Sequence, residues 1–161
     1  MKTIIIGANH AGIAAANVLL SQTGHEVVMI DKNSNLSYLG CGTALWVGRQ
    51  IDSYEELFYT SKEALEKKGA KISLETEVEM IDFCHKKVYC QNPTETYCET
   101  YDKLILATGS RPISPNVPGK DLKNIHFLKS FQDGKTIDAL LDNPAVKNVA
   151  VVGAGYIGVE I

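Results

Sequence analysis

Residues 2–12 read Lys2-Thr3-Ile4-Ile5-Ile6-Gly7-Ala8-Asn9-His10-Ala11-Gly12, and the reading of this stretch decides the fold. The isoleucine-rich run from Lys2 to Ile6 has the continuous apolar character of a parallel strand covered on both faces. It stops at Gly7, and residues 11–22 then carry Ile13, Ala16, Leu19 and Leu20 at helical spacing, with Gly24 able to end the helix. Glu26 to Ile30 is a second strand, followed at once by Asp31. Strand, helix and strand together fill about thirty residues, the size of a βαβ crossover. Within that frame the turn Gly7-Ala8-Asn9-His10-Ala11-Gly12 is a Gly-x-Asn-x-x-Gly variant of the dinucleotide fingerprint. The first glycine permits the tight turn, the last lets helix approach strand, and the helix N-terminus faces a pyrophosphate. Asn9 stands where a middle glycine is usual, a departure eased by the tolerance of asparagine for positive φ. Asp31 is placed to accept a ribose hydroxyl.

Working outward, Ser53 and Glu56 make a capping box for a helix running to Gly69, and Lys71 to Leu74 is a third strand. From Glu75 to Tyr101, β-branched and aromatic residues alternate with polar ones across turn-like stretches, which predicts an antiparallel meander. Lys103 to Leu106 is a further buried strand leading into Ala107-Thr108-Gly109-Ser110. Pro112, Pro115, Pro118 and Gly119 mark a connector, residues 131–142 a helix, and Val146 to Val152 a new buried strand. Next comes Gly153-Ala154-Gly155-Tyr156-Ile157-Gly158, a full Gly-x-Gly-x-x-Gly match, so strand, glycine turn and helix occur twice. The expected fold is α/β, a Rossmann-like three-layer arrangement of parallel sheet, helices and antiparallel β-meander, and it is incomplete. Residues 1–110 form the first nucleotide-binding domain, 111–147 a connector with strand and helix, and 148–161 the start of a second domain. The helix opened by the second turn stops at Ile161 with no βαβ unit after it. The chain is therefore expected to be a fragment of a longer protein.

At 45% hydrophobic and 22% charged residues, the composition is that of a globular protein. A formal charge of -3 with no basic stripe argues against nucleic acid as a partner. The opening apolar run ends at Gly7, too early for a signal peptide, and no run reaches membrane-spanning length. A cytoplasmic location without membrane contact is therefore expected. The cysteines Cys41, Cys84, Cys90 and Cys98 then read as reduced thiols, and their spacing matches no paired Cys-x-x-Cys metal pattern, so no metal is expected.

Cys41 sits in Ser37-Tyr38-Leu39-Gly40-Cys41-Gly42, just before the apolar stretch Ala44 to Val47. A lone cysteine is as a rule a packing residue. With no second cysteine within four residues, a redox role for Cys41 would have to use one sulfur, through a sulfenic acid or a mixed disulfide. His10 is an unusual bulky, titratable side chain in a phosphate loop, either an exposed loop residue or a functional one. His25, His85 and His126 have no motif around them.

Taken together, Gly7 to Gly12 with His10, Ser37 to Trp46 around Cys41, Ala107 to Ser110 and Gly153 to Glu160 resemble the FAD-dependent pyridine nucleotide-disulfide oxidoreductase family. The resemblance is to its single-cysteine branch of NADH oxidases and NADH peroxidases. It spans the whole chain, and Cys41-Gly42-Thr43-Ala44-Leu45-Trp46 is its most specific part. In the coenzyme A disulfide reductase branch a proline-containing sequence typically follows the Cys-Gly, whereas Ala44-Leu45-Trp46 is similar to the oxidases.

The resemblance implies an FAD/NAD(P)-binding fold with FAD at the first fingerprint, on Gly7, Ala8, Asn9, His10, Ala11 and Gly12. It puts Asp31 and Lys32 near the adenosine ribose, the Val78 backbone near the adenine, and Ala107, Thr108, Gly109 and Ser110 over the flavin. Gly153, Gly155, Tyr156, Ile157 and Gly158 would begin the NADH site. Cys41 would lie against the flavin and alternate between thiolate and sulfenic acid, with His10 tuning it or relaying protons. NADH and oxygen or peroxide would be the substrates, and the parent protein a homodimer or higher homo-oligomer. Family members are well over twice this length, so the parent is expected to be the enzyme and residues 1–161 alone inactive. The rivals are an NADH peroxidase, a coenzyme A disulfide reductase, and a non-catalytic flavin-binding redox sensor. Two fingerprints in tandem and the intervening meander disfavour a simple NAD-dependent dehydrogenase.

Overall fold

A computed structural model describes residues 1–161. The chain divides into two compact units, Met1–Tyr38 with Phe58–Gly109 and Leu39–Leu57 with Ser110–Ile161.

The first unit is built on four parallel strands in the order β3-β2-β1-β7, formed by β1 (Lys2–Ile6), β2 (Glu26–Ile30), β3 (Ala70–Ser73) and β7 (Lys103–Leu106). Successive side chains on a strand point to opposite faces, so apolar runs such as Thr3–Ile6 supply two cores at once. Ile5, Val27, Met29 and Ile72 face helix α1 (His10–Leu20), through Ile13 and Ala16, and Leu65 of the short α3 (Lys62–Glu66). Ile4, Ile6, Val28 and Ile30 face the other way, onto Val88, Cys90 and Tyr101. Those residues belong to, or adjoin, an antiparallel meander of β4 (Glu77–Asp82), β5 (Lys87–Gln91) and β6 (Thr96–Thr100). Helices, parallel sheet and meander are the three layers anticipated. Ile4, Ile5, Met29 and Ile30 are fully buried, each contributing about 1.5–3 kcal/mol of apolar burial.

The second unit holds α2 (Thr43–Val47), α4 (Phe131–Leu141) and α5 (Tyr156–Glu160). Its packing centre is aromatic: Trp46 lies 5.4 Å from Tyr54 and 6.0 Å from Phe131, ring centre to ring centre. Ser130 and Asp133 close a capping box at the start of α4.

Two expectations are corrected. The helix from Ser53 to Gly69 does not form: a 3-10 turn covers Tyr54–Leu57, the chain becomes extended, and α3 starts only after Ser61. Phe58 makes a β-bridge with Tyr38, and Thr60 exchanges hydrogen bonds with Ser37, so the backbone of this stretch is committed outside a helix. Ser61, not Ser53, caps the helix, accepting from the Ala64 N–H at 3.2 Å. The strand over Val146 to Val152 is also not formed, and residues 111–147 contain a helix but no strand. No strand of the chain lies beside Val149, Val151 and Val152 to take their backbone groups, and Val152 is 98% exposed.

Candidate dinucleotide-binding site

The first fingerprint turn leaves β1 between the C-terminal tips of its two neighbours. Gly7 donates its N–H to the Ile30 carbonyl at 2.8 Å, and Ala107 donates to the Ile6 carbonyl at 2.8 Å. The strand order reverses between β1 and β7, the place where open parallel sheets hold ligands. Gly7 has φ +107, and a β-carbon there would stand 2.2 Å from the Ala107 carbonyl oxygen. Only glycine lets the turn pass beneath the end of β7.

Asn9 caps α1 with an extended backbone, φ -110, so its tolerance of positive φ is not used. Its side chain makes no cap bond, and its buried Oδ1 has no hydrogen-bond partner. The first intrahelical bond runs from Ile13 N–H to Asn9 carbonyl at 2.8 Å, leaving the N–H groups of the first turn open. Unfilled donors on an eleven-residue helix fit a ligand carrying a pyrophosphate.

Asp31 is positioned from both sides. Its Oδ2 accepts the Ala8 N–H at 2.7 Å, while Oδ1 accepts the Asn33 backbone N–H and Nδ2 at 2.8 and 2.9 Å. A carboxylate offers about four acceptor sites, so one on Oδ2 remains for a hydroxyl. The Asp31 backbone pairs with Ser73 and Thr76, and the chain runs from Thr76 into β4, where half-buried Val78 lies opposite Cys90. A groove beside Asp31 is lined by Lys32, Asn33, Glu75, Glu77, Glu79 and Gln91. In this first unit the structure therefore brings together Gly7 to Gly12, Asp31, Lys32, Val78 and Ala107 to Gly109.

Two residues that the sequence did not single out join this group. The exposed His10 ring stacks on Tyr59 with centroids 5.4 Å apart and planes 3° from parallel. Fully buried Ser37, at φ +60, donates its N–H to the Ala8 carbonyl at 3.0 Å and clamps Thr60 with its hydroxyl. Desolvation raises the Tyr59 phenol above its ordinary pKa. The serine–lysine texture around residues 53–62 reads as a helix start, and no local motif signals the pairing of Ser37 with Thr60.

The second turn, in the other unit, has the geometry of the first. Gly153 has φ +119, and a β-carbon on Gly158 would lie 1.9 Å from the Gly153 carbonyl, as one on Gly12 would from that of Gly7. Gly155 caps α5, and Ala154, Gly155, Tyr156 and Val159 line a shallow pocket. Ile157 is exposed. Ser110 opens the second stretch of this unit. Cys41 also belongs here: it is a free, exposed thiol in the 3-10 turn Gly40–Gly42 that runs into α2. Gly42 packs on Leu57, and the Thr43 hydroxyl donates to the Gly40 carbonyl at 2.9 Å.

A sequence model of the family described as pyridine nucleotide-disulphide oxidoreductase matches residues 1–161. The NADH oxidase of Lactococcus lactis subsp. cremoris is 64% identical over 163 residues, covering 100% of this chain and 36% of that protein. The chain thus spans about a third of the length of the curated relatives it matches. Among solved structures, the water-forming NADH oxidase from Lactobacillus brevis bound to NADH superposes with a TM-score of 0.89 at 34% identity, over 99% of this chain and 36% of that one. Reduced CoADR-RHD of Bacillus anthracis superposes with a TM-score of 0.92 at 30% identity, over 99% and 29%. No helix is long and apolar enough to cross a membrane.

Proposed function

The chain belongs to the pyridine nucleotide-disulphide oxidoreductase family, and we propose that it is the N-terminal part of an FAD-dependent NADH oxidase that reduces oxygen to water. The observation that carries this reading is the duplicated turn: two fingerprints in which a β-carbon on the last glycine would meet the carbonyl of the first at the same 1.9 Å, one for each of two dinucleotides. The likeness to NADH oxidases supports the choice of reaction.

In this reading the first turn and Asp31 hold FAD, and the second turn begins the NADH site. When bound, FAD supplies the two-electron carrier between NADH and oxygen. The open N–H groups of α1 neutralise the pyrophosphate, and the free site on Asp31 Oδ2 takes a ribose hydroxyl. Lys32, the Val78 backbone and Ala107 to Ser110 would be further contacts of FAD. Cys41 handles the second half of the reduction. Its thiol takes one oxygen atom from hydrogen peroxide, becoming a sulfenic acid and releasing water. Two electrons and a proton from NADH, with one further proton, return the thiol and release the second water. His10 holds and passes protons in that cycle. The whole protein is a cytoplasmic homo-oligomer.

A coenzyme A disulfide reductase is the second reading, favoured by the TM-score of 0.92 with CoADR-RHD. The two part on oxygen uptake. The full-length, flavin-loaded protein should consume oxygen with NADH alone, accumulate no peroxide, and take up more than one NADH equivalent under anaerobic titration. Cys41→Ser should lower that uptake to one equivalent and release peroxide. NADH oxidation that depends on added peroxide or disulfide, with no oxygen uptake, would overturn the oxidase reading.

A further inference from the structure

We propose that Tyr59 is a positioning residue for His10, its ring supplying the parallel face that fixes the imidazole plane at the N-terminus of α1. The inference rests on the reading of His10 as a proton-handling group. Neither ring nitrogen of His10 has a hydrogen-bond partner in the chain, so nothing but packing orients the ring. Centroids 5.4 Å apart with planes 3° from parallel form an offset stack, a favourable aromatic geometry. One imidazole face is then covered, while the residue as a whole stays exposed, where a proton can be exchanged.

The placement of Tyr59 is itself built into the fold. Ser37 is 0% exposed and holds a left-handed backbone, φ +60, which a serine adopts only when its surroundings enforce it. Its N–H binds the Ala8 carbonyl inside the fingerprint turn at 3.0 Å. Its hydroxyl donates to the Thr60 carbonyl at 2.6 Å and accepts the Thr60 N–H at 3.2 Å. Tyr59, next in the chain, is thereby tied to the same turn that carries His10. The neighbouring Tyr38–Phe58 bridge, with rings 5.5 Å apart, holds the same two segments together one residue along. The phenol stays neutral, because desolvation raises its pKa, and presents an uncharged ring to the imidazole.

A proton relay works only with its heavy atoms about 2.6–3.2 Å from the partner, and small misplacements are expensive in rate. Loss of the stack should therefore slow turnover without weakening NADH binding. The test uses the full-length, FAD-loaded protein with histidine-selective isotope labelling, the His10 ring signals being assigned by their loss in His10→Ala. Tyr59→Leu should lower kcat about tenfold with KM for NADH within about twofold, and move the His10 ring-proton resonances away from their ring-current-shifted positions. Tyr59→Phe, which keeps the ring, should retain both rate and resonances. Wild-type kcat in Tyr59→Leu while His10→Ala is slow would overturn the positioning role, as would failure of Tyr59→Phe to rescue. Wild-type kcat in His10→Ala would instead overturn the role of His10, and with it the reason to position the ring. The resonances read the stack separately in either case.

Discussion

A β-carbon on Gly12 would stand 1.9 Å from the carbonyl oxygen of Gly7, so α1 seats against the fingerprint turn with only a hydrogen at the point of contact. Alanine is the better helix former by about 1 kcal/mol, and an isolated helix would gain from it. The contact outweighs that gain here, since the obstructing atom is backbone and overpacking costs about 1–3 kcal/mol. Gly12→Ala should lower the thermal midpoint and deplete bound flavin in the full-length protein. Wild-type stability and full flavin content would mean that the helix can slide away from the turn at little cost.

Gly134 makes the same kind of contact in the other unit. Its missing β-carbon would meet Trp46 Cζ3 at 2.8 Å and Thr43 Cγ2 at 2.9 Å, and neither side chain has room to retreat, Trp46 being 4% exposed and Thr43 1%. Gly134→Ala should destabilise this unit by about 1–3 kcal/mol despite better helix propensity. Trp46 is the only tryptophan of the chain, so its emission reports the packing directly. A red shift with a lower unfolding midpoint is expected. An unchanged spectrum would show that α4 is free to move away from α2.

The strands of the first unit were readable because each carries a run of apolar residues with its own boundary. Lys2 to Ile6 ends in glycine, and Glu26 to Ile30 ends in aspartate. Both fingerprint turns were readable because part of their glycine spacing is demanded locally: the last glycine of each meets the carbonyl of the first, five residues back. The stretch 53–61 was not, because its conformation is decided by Ser37 and Tyr38, far off in sequence, while its local signals favour a helix. The valines from Val146 to Val152 have the composition of a buried strand, but strand formation needs a neighbour to pair with, and composition does not report one. No local signal marks Tyr59, because its stacking on His10 depends on that same distant pairing.

Arg49 forks onto two carboxylates of α4, pairing through one guanidinium nitrogen with Asp138 and through the other with Asp142 at 2.7 Å. It does so from a left-handed backbone, φ +60, that favours glycine. Arg49→Ala loses the fork and keeps the strained backbone, so it should destabilise by about 1 kcal/mol. Arg49→Gly loses the fork but relieves a strain of about 1 kcal/mol, and should fall close to wild type. Denaturant melts of the two variants decide the matter. Arg49→Gly proving the less stable of the pair would show that the left-handed backbone at this position holds no strain for glycine to relieve.

Cys90 is 0% exposed among Ile4, Ile6, Val88 and Tyr101, and burial, reinforced by the charge of Glu99, pushes its thiol from 9.0 up to about 11. The folded chain therefore keeps this proton at pH values where the unfolded chain has given it up. A raised pKa of this kind leaves stability intact below pH 9.0 and removes it as pH climbs towards about 11. The loss attributable to Cys90 should be on the order of 2 kcal/mol. Lysines and tyrosines titrate in the same window, so the useful quantity is the difference between wild type and Cys90→Ala. The variant starts less stable, because of the cavity it leaves, and should then lose less between pH 9 and 11, so that the two stability curves converge. Parallel curves in urea melts would show that the thiol ionises within the folded first unit as readily as in the unfolded chain, which would require water to reach the space between the parallel sheet and the meander.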